Sequence, residues 1–107
     1  MQLVPAATAL IAIFSLAPLH AAAESHEGVV QQLRIDSNAD TPLCASTIPS
    51  MPGEAWACIY PNRRYYQEMK EMLFRALDAR HRCTFEWSQR DTVTNRAHID
   101  RITCAGR

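Results

Sequence analysis

The sequence has one lysine and three glycines among its 107 residues, and no Asp, Glu, Lys or Arg precedes Glu24. Each shortage removes a class of function. There is no glycine-rich phosphate loop, no H-E-x-x-H pair and no G-x-S-x-G elbow. The 11 basic and 11 acidic side chains balance, so no overall field draws the chain to nucleic acid or to an anionic membrane. Ten of the 11 basic residues are arginine, which pairs with carboxylates and packs at interfaces better than lysine does. The cysteines show no C-x-x-C knuckle and no histidine at ligand spacing, which argues against zinc or any other metal. No apolar run reaches the roughly 20 residues of a membrane span.

The uncharged start is informative. Residues 9–17 are apolar, Pro18 ends them, and Ala21, Ala22 and Ala23 form a small-residue cleavage pattern. The stretch therefore reads as a signal peptide over 1–23, with a mature domain over 24–107 that is secreted or periplasmic. A chain of about 84 residues buries only a small core, so it needs covalent staples. All four cysteines, Cys44, Cys58, Cys83 and Cys104, lie in this part. An even count in a short exported chain implies a disulfide framework, and four cysteines allow three pairings.

Period-two patterning predicts a strand over 28–35, with Val29, Leu33 and Ile35 on its buried face. A turn comes next at 36–40, then a short strand over 42–46 and a third over 55–60, where Trp56, Cys58 and Tyr60 point one way. Asn62 caps an expected helix over 63–80 that contains neither Gly nor Pro. Its apolar stripe runs through Tyr65, Tyr66, Met69, Met72, Leu73, Ala76 and Leu77, with Lys70 and Phe74 off the stripe and available to a partner subunit. Two strands, 82–87 and 97–104, close the chain. Pairing them about a centre between Val93 and Thr94 sets Cys83 opposite Cys104, and Cys44 and Cys58 likewise flank one connection. The expected bridges are Cys44–Cys58 and Cys83–Cys104, each contributing about 2–4 kcal/mol.

No catalytic constellation emerges: His26, His81 and His98 are isolated, and paired cysteines leave no thiol nucleophile. Glu86 and Asp100 can approach across the last hairpin as a solvated pair. The domain is expected to bind rather than to catalyse, without a cofactor. Trp56, Tyr60, Phe85 and Trp87 all fall on strands; an aromatic face exposed beside polar groups stacks on sugars, and a buried one is core.

Three strands, an amphipathic helix and two strands match the order of the five-stranded Greek-key OB barrel, a mainly β fold. The mature chain resembles the B subunits of the subtilase and pertussis AB5 toxins in three places: the opening Gly28-Val29-Val30, Cys44 with Cys58, and residues 71–106, where Met72-Leu73-Phe74-Arg75-Ala76 leads on to Ile102-Thr103-Cys104-Ala105-Gly106. The resemblance implies a homo-pentameric ring, host glycans as ligands on the outer barrel faces, and a catalytic A subunit as partner. It places ligand contacts at Glu27, Phe85 and Glu86, and the subunit interface at Lys70 and Phe74. Sialoglycan-binding members carry a serine where this chain has Glu27 and a tyrosine where it has Phe85. A carboxylate repels sialic acid and phenylalanine donates no hydrogen bond, so neutral glycans are expected. The alternative is a monomeric exported interaction or inhibitor domain.

The disulfide expectation is checked by mass spectrometry of non-reduced, protease-digested protein. Linked peptides 44/58 and 83/104 are predicted; four free thiols in exported material would contradict it.

Overall fold

A computed structural model describes residues 23–35 and 42–105. Apart from Ala23, the expected signal peptide lies outside them, as does the expected turn at 36–40. Among the described residues there are five strands and one α-helix: β1 (Glu24–Ile35), β2 (Leu43–Ile48), β3 (Ala57–Ile59), α1 (Tyr66–Ala79), β4 (Arg82–Arg90) and β5 (Ala97–Ala105), with a 3-10 turn over Pro52–Glu54 before β3. The strands form one mixed sheet that closes in a ring in the order β1-β2-β3-β5-β4, with β4 returning to β1. Every contact between neighbours is antiparallel except that of β3 with β5.

Both expected disulfides are formed, Cys44–Cys58 and Cys83–Cys104, and each joins residues directly opposite one another in a ladder. They sit on different sides of the sheet. Cys83 belongs to the core cluster with Phe85, Trp87 and Leu73, whereas Cys44 and Cys58 are buried outside that cluster. Phe85 and Trp87 are 0% exposed. Full burial of two such side chains stabilises the fold by roughly 1.5–3 kcal/mol each.

The first strand departs from its expected pattern at one place. Its register against β2 shifts between Val30 and Gln32, so Gln31 is an extra, bulged residue. One inserted residue moves every later side chain to the opposite face relative to a regular strand. Gly28 and Val30 point inward before the bulge and Leu33 packs on the core after it, so Val29, expected to share a face with Leu33, is only half-buried. Ile35, also expected on the buried face, is the last residue of the strand and is 62% exposed. The strand also begins four residues before Gly28, because Glu24, Ser25, His26 and Glu27 all pair with β4.

The helix starts later than residue 63. The backbone N–H of Arg63 donates to Tyr60 O at 3.0 Å and that of Tyr66 to Arg63 O at 3.3 Å, so a turn occupies the segment that Asn62 was expected to cap. Tyr65 stands at the N-cap with φ 66° and makes no side-chain cap. At the other end Arg80 takes φ 57° and its N–H closes on Ala76 O. Glycine would normally supply such conformations. With so few glycines, Glu54, Tyr65, Arg80 and Asn95 adopt positive φ, which costs about 1 kcal/mol for an ordinary side chain. Leu73 and Ala76 are the buried residues of α1, and Tyr66, Met69 and Leu77 are half-buried against the core. Met72, expected on the buried stripe, is instead exposed.

Gly28 is needed for a different reason. A Cβ there would lie 3.0 Å from Ile48 O and 3.2 Å from Thr47 Cβ of β2. The Ile48 carbonyl is backbone and cannot move aside without disturbing the ladder. Gly28→Ala is predicted to destabilise the fold by about 1–3 kcal/mol, read as a lower midpoint in urea at unchanged m-value.

Candidate functional site

A strand alternates its side chains, so Phe85 and Glu86 cannot face the same way. Cys83, Phe85 and Trp87 point into the ring and Glu86 points out. Phe85, expected to touch ligand, is therefore a core residue with no surface to offer a sugar. Glu27 and Glu86 do share one outer patch: Glu27 pairs with Thr84 and Ser25 with Glu86 across the β1–β4 seam. Each carboxylate has an arginine beside it. Glu27 lies 3.9 Å from Arg82 and Glu86 lies 3.8 Å from Arg101. Such exposed pairs are worth at most about 1 kcal/mol and leave the carboxylates accessible.

The helix residues divide in the same way. Phe74 is 46% exposed on α1, an apolar side chain that the core does not use. Lys70 is half-buried, and its ammonium lies 5.7 Å from the centre of the Tyr66 ring on the same helix. Phe74 is thus the stronger of the two as an outward contact.

Of the four aromatics expected on strands, Phe85 and Trp87 line the core, whereas Trp56 and Tyr60, which flank the short β3 rather than lie in it, stand half-exposed on the outside. The guanidinium of Arg34 lies over the Trp56 ring at 5.2 Å from its centre, a cation–π contact that fixes the indole. Tyr60 packs against His98 with ring centres 4.5 Å apart. A recess of about 220 Å³ opens next to Trp56, between the outer side of β1 and β2 and the connection into β3. Patterning makes Trp56 one of four candidates, and burial alone separates it from Phe85 and Trp87.

Asp100 is a heavily engaged carboxylate on the outer surface. The β4–β5 ladder slips between Glu86 and Trp87 and slips back before Gln89, which leaves Ser88 and Asp100 outside the regular pairing. The Asp100 carboxylate replaces the lost ladder bond. It accepts the Ser88 N–H and the Ser88 hydroxyl, each at 3.1 Å, and the Arg63 guanidinium at 2.8 Å. Asp100 is therefore paired with Arg63 rather than with Glu86. Burial pushes its carboxyl up, but the bonds from Arg63 and Ser88 outweigh that effect and hold the pKa below the ordinary aspartate value. Among the described residues, no group of His, Cys, Asp or Glu is arranged to hold a metal ion.

A depressed folded-state pKa gives stability that is present above the unfolded value, about 3.9, and is lost as pH falls through the folded one. Asp100→Asn is predicted to lower the melting temperature at pH 7 by a few degrees, with the gap to wild type closing below about pH 4. An equal gap at pH 7 and at pH 2 would show that the charge of Asp100 is not what stabilises this junction.

No protein-family model matches the chain, and no curated protein matches it.

Proposed function

We propose that the chain is an exported glycan-binding subunit of the subtilase and pertussis toxin B type, built on an OB barrel and assembling into a ring. One observation carries the proposal. The closed order β1-β2-β3-β5-β4, with β3 parallel to β5 and the single helix between β3 and β4, is the strand arrangement an OB barrel requires. It supports the fold that the sequence resemblance implies. Two disulfides fit an oxidising compartment outside the cytosol, and none of the described helices is long and apolar enough to cross a membrane.

Ring assembly is supported by the outer surface of α1, where Phe74 and Met72 are exposed on either side of the buried stripe. Glycan binding is supported by Trp56, which presents an aromatic surface beside polar groups. Several weak sites on one ring bind a cell surface tightly through avidity, so shallow sites suffice for such a subunit. A catalytic A subunit is the expected partner, with this chain supplying attachment rather than chemistry.

Light scattering of the mature protein is predicted to give a mass about five times that of the chain. Phe74→Asp should reduce it to a monomer that remains folded, because the charge falls in an interface and not in the core. A wild-type monomer at micromolar concentration would favour the monomeric interaction or inhibitor domain instead.

A further inference from the structure

We infer that the recess beside Trp56 is the saccharide site, and that it takes one neutral hexopyranose ring at the end of a glycan. The inference rests on the glycan-binding reading above and places its site away from Glu27 and Phe85.

The recess is produced by the bulge in β1. Past the extra residue Gln31, Gln32 pairs with Ser46 of β2, and these two side chains reach the outer surface. They form one edge. Ser50 and Glu54, from the connection between β2 and β3, form the other, and Trp56 makes a wall. Met51 and Ala55, both buried, supply an apolar floor. Among the described residues, the side chains of Gln32, Ser46, Ser50 and Glu54 have no hydrogen-bond partner, so their bonding capacity is available to a ligand. By contrast, the lining hydroxyl of Thr47 is already donated to Pro49 O at 2.7 Å.

The connection that carries Ser50 and Glu54 is held from several sides. The ring of His26 bonds Pro49 O at 2.8 Å and Arg90 bonds Pro52 O at 3.4 Å. Asn95 donates to Gly53 O at 3.4 Å, and the Glu54 N–H donates to Met51 O at 2.8 Å. Gly53 and Glu54 both adopt positive φ, 72° and 54°, within this brace. A non-glycine residue held in that conformation marks a backbone fixed by its surroundings. The edge is therefore preorganised, and binding a small ligand does not require ordering a loop.

The chemistry selects the ligand. An amide and two hydroxyls both donate and accept, and a carboxylate accepts, which suits the hydroxyl pairs of a sugar. Met51, Ala55 and Trp56 suit its C–H surface. The Arg34 guanidinium is held over the Trp56 ring and does not line the recess, whereas Glu54 does and repels an anion, so an acidic sugar or a phosphate is disfavoured. At about 220 Å³ the volume is below the roughly 300 Å³ at which drug-sized pockets begin, which is room for one ring rather than for a chain.

Tryptophan emission reads the site directly, because the chain has two tryptophans and Trp87 is wholly buried. The mature protein is titrated with galactose, glucose, mannose and N-acetylneuraminic acid, and the same protein is applied to an array of glycans. A saturable change in emission with a neutral hexose, or array binding to glycans ending in one, is expected, with no response to N-acetylneuraminic acid. Gln32→Ala and Ser50→Ala, both at exposed positions, should each weaken binding at least tenfold at unchanged melting temperature. If glycans bind but neither variant weakens them, the site is wrong and the glycan reading survives. If N-acetylneuraminic acid binds as well as a neutral hexose, the assigned selectivity is wrong. If no sugar binds in either assay, both the site and the glycan reading fall.

Discussion

The parallel pairing of β3 with β5 closes the sheet, and it is the shortest seam of the ring. Only Ala57 with Ala97 and Cys58 with His98 are in register there, supported by the Ala97 N–H donating to Trp56 O at 2.9 Å. Parallel pairing is also slightly less stable per residue than antiparallel. The seam holds because its neighbours are fixed. Cys44–Cys58 ties β3 to β2 on one side, and Cys83–Cys104 ties β5 to β4 on the other. Ala57 and Ala97 are fully buried, and their small side chains leave the interior to Trp87, Phe85 and Leu43. At the end of the ring where β5 begins, Arg90 adds a polar clamp: it reaches Asn95, Pro52 O and Glu24 while lying over the Trp87 ring at 5.2 Å.

The same closure determines which residues are available for binding. Once the ring is shut, alternation sends Cys83, Phe85 and Trp87 to the core, and Trp56 and Tyr60, at the two ends of β3, remain outside. The bulge at Gln31 then turns Gln32 and Ser46 toward the recess at Trp56. Binding chemistry is thereby displaced from the β1–β4 seam, where Glu27 and Glu86 each sit beside an arginine.

Much of this fold is legible in the amino-acid pattern. The order of elements comes from hydrophobic periodicity, and the register of Cys83 with Cys104 comes from pairing two strands across a polar segment. The irregularities are not legible. A bulge leaves no residue-type signature in Val30-Gln31-Gln32, yet it reverses the facing of the residues after it, so that Leu33 packs on the core while Val29 does not. The late helix start depends on a turn at Tyr60 and Arg63 and a left-handed Tyr65, which no propensity would assign to that residue. A binding role for Phe85, by contrast, fails on alternation alone. Period two forbids Phe85 and its neighbour Glu86 from sharing a face, and the more apolar of the two belongs inside.

Hydrogen exchange at the Ala97 amide tests the dependence of ring closure on the disulfide pins most directly. The comparison is between the oxidised protein and a variant in which Cys44 and Cys58 are both alanine. Protection of Ala97 should fall by at least tenfold while amides of the β1–β4 seam, such as Thr84, change far less, because the short parallel seam opens first. Equal loss of protection at both seams, or no loss at Ala97, would show that the ring does not depend on that bridge for its closure.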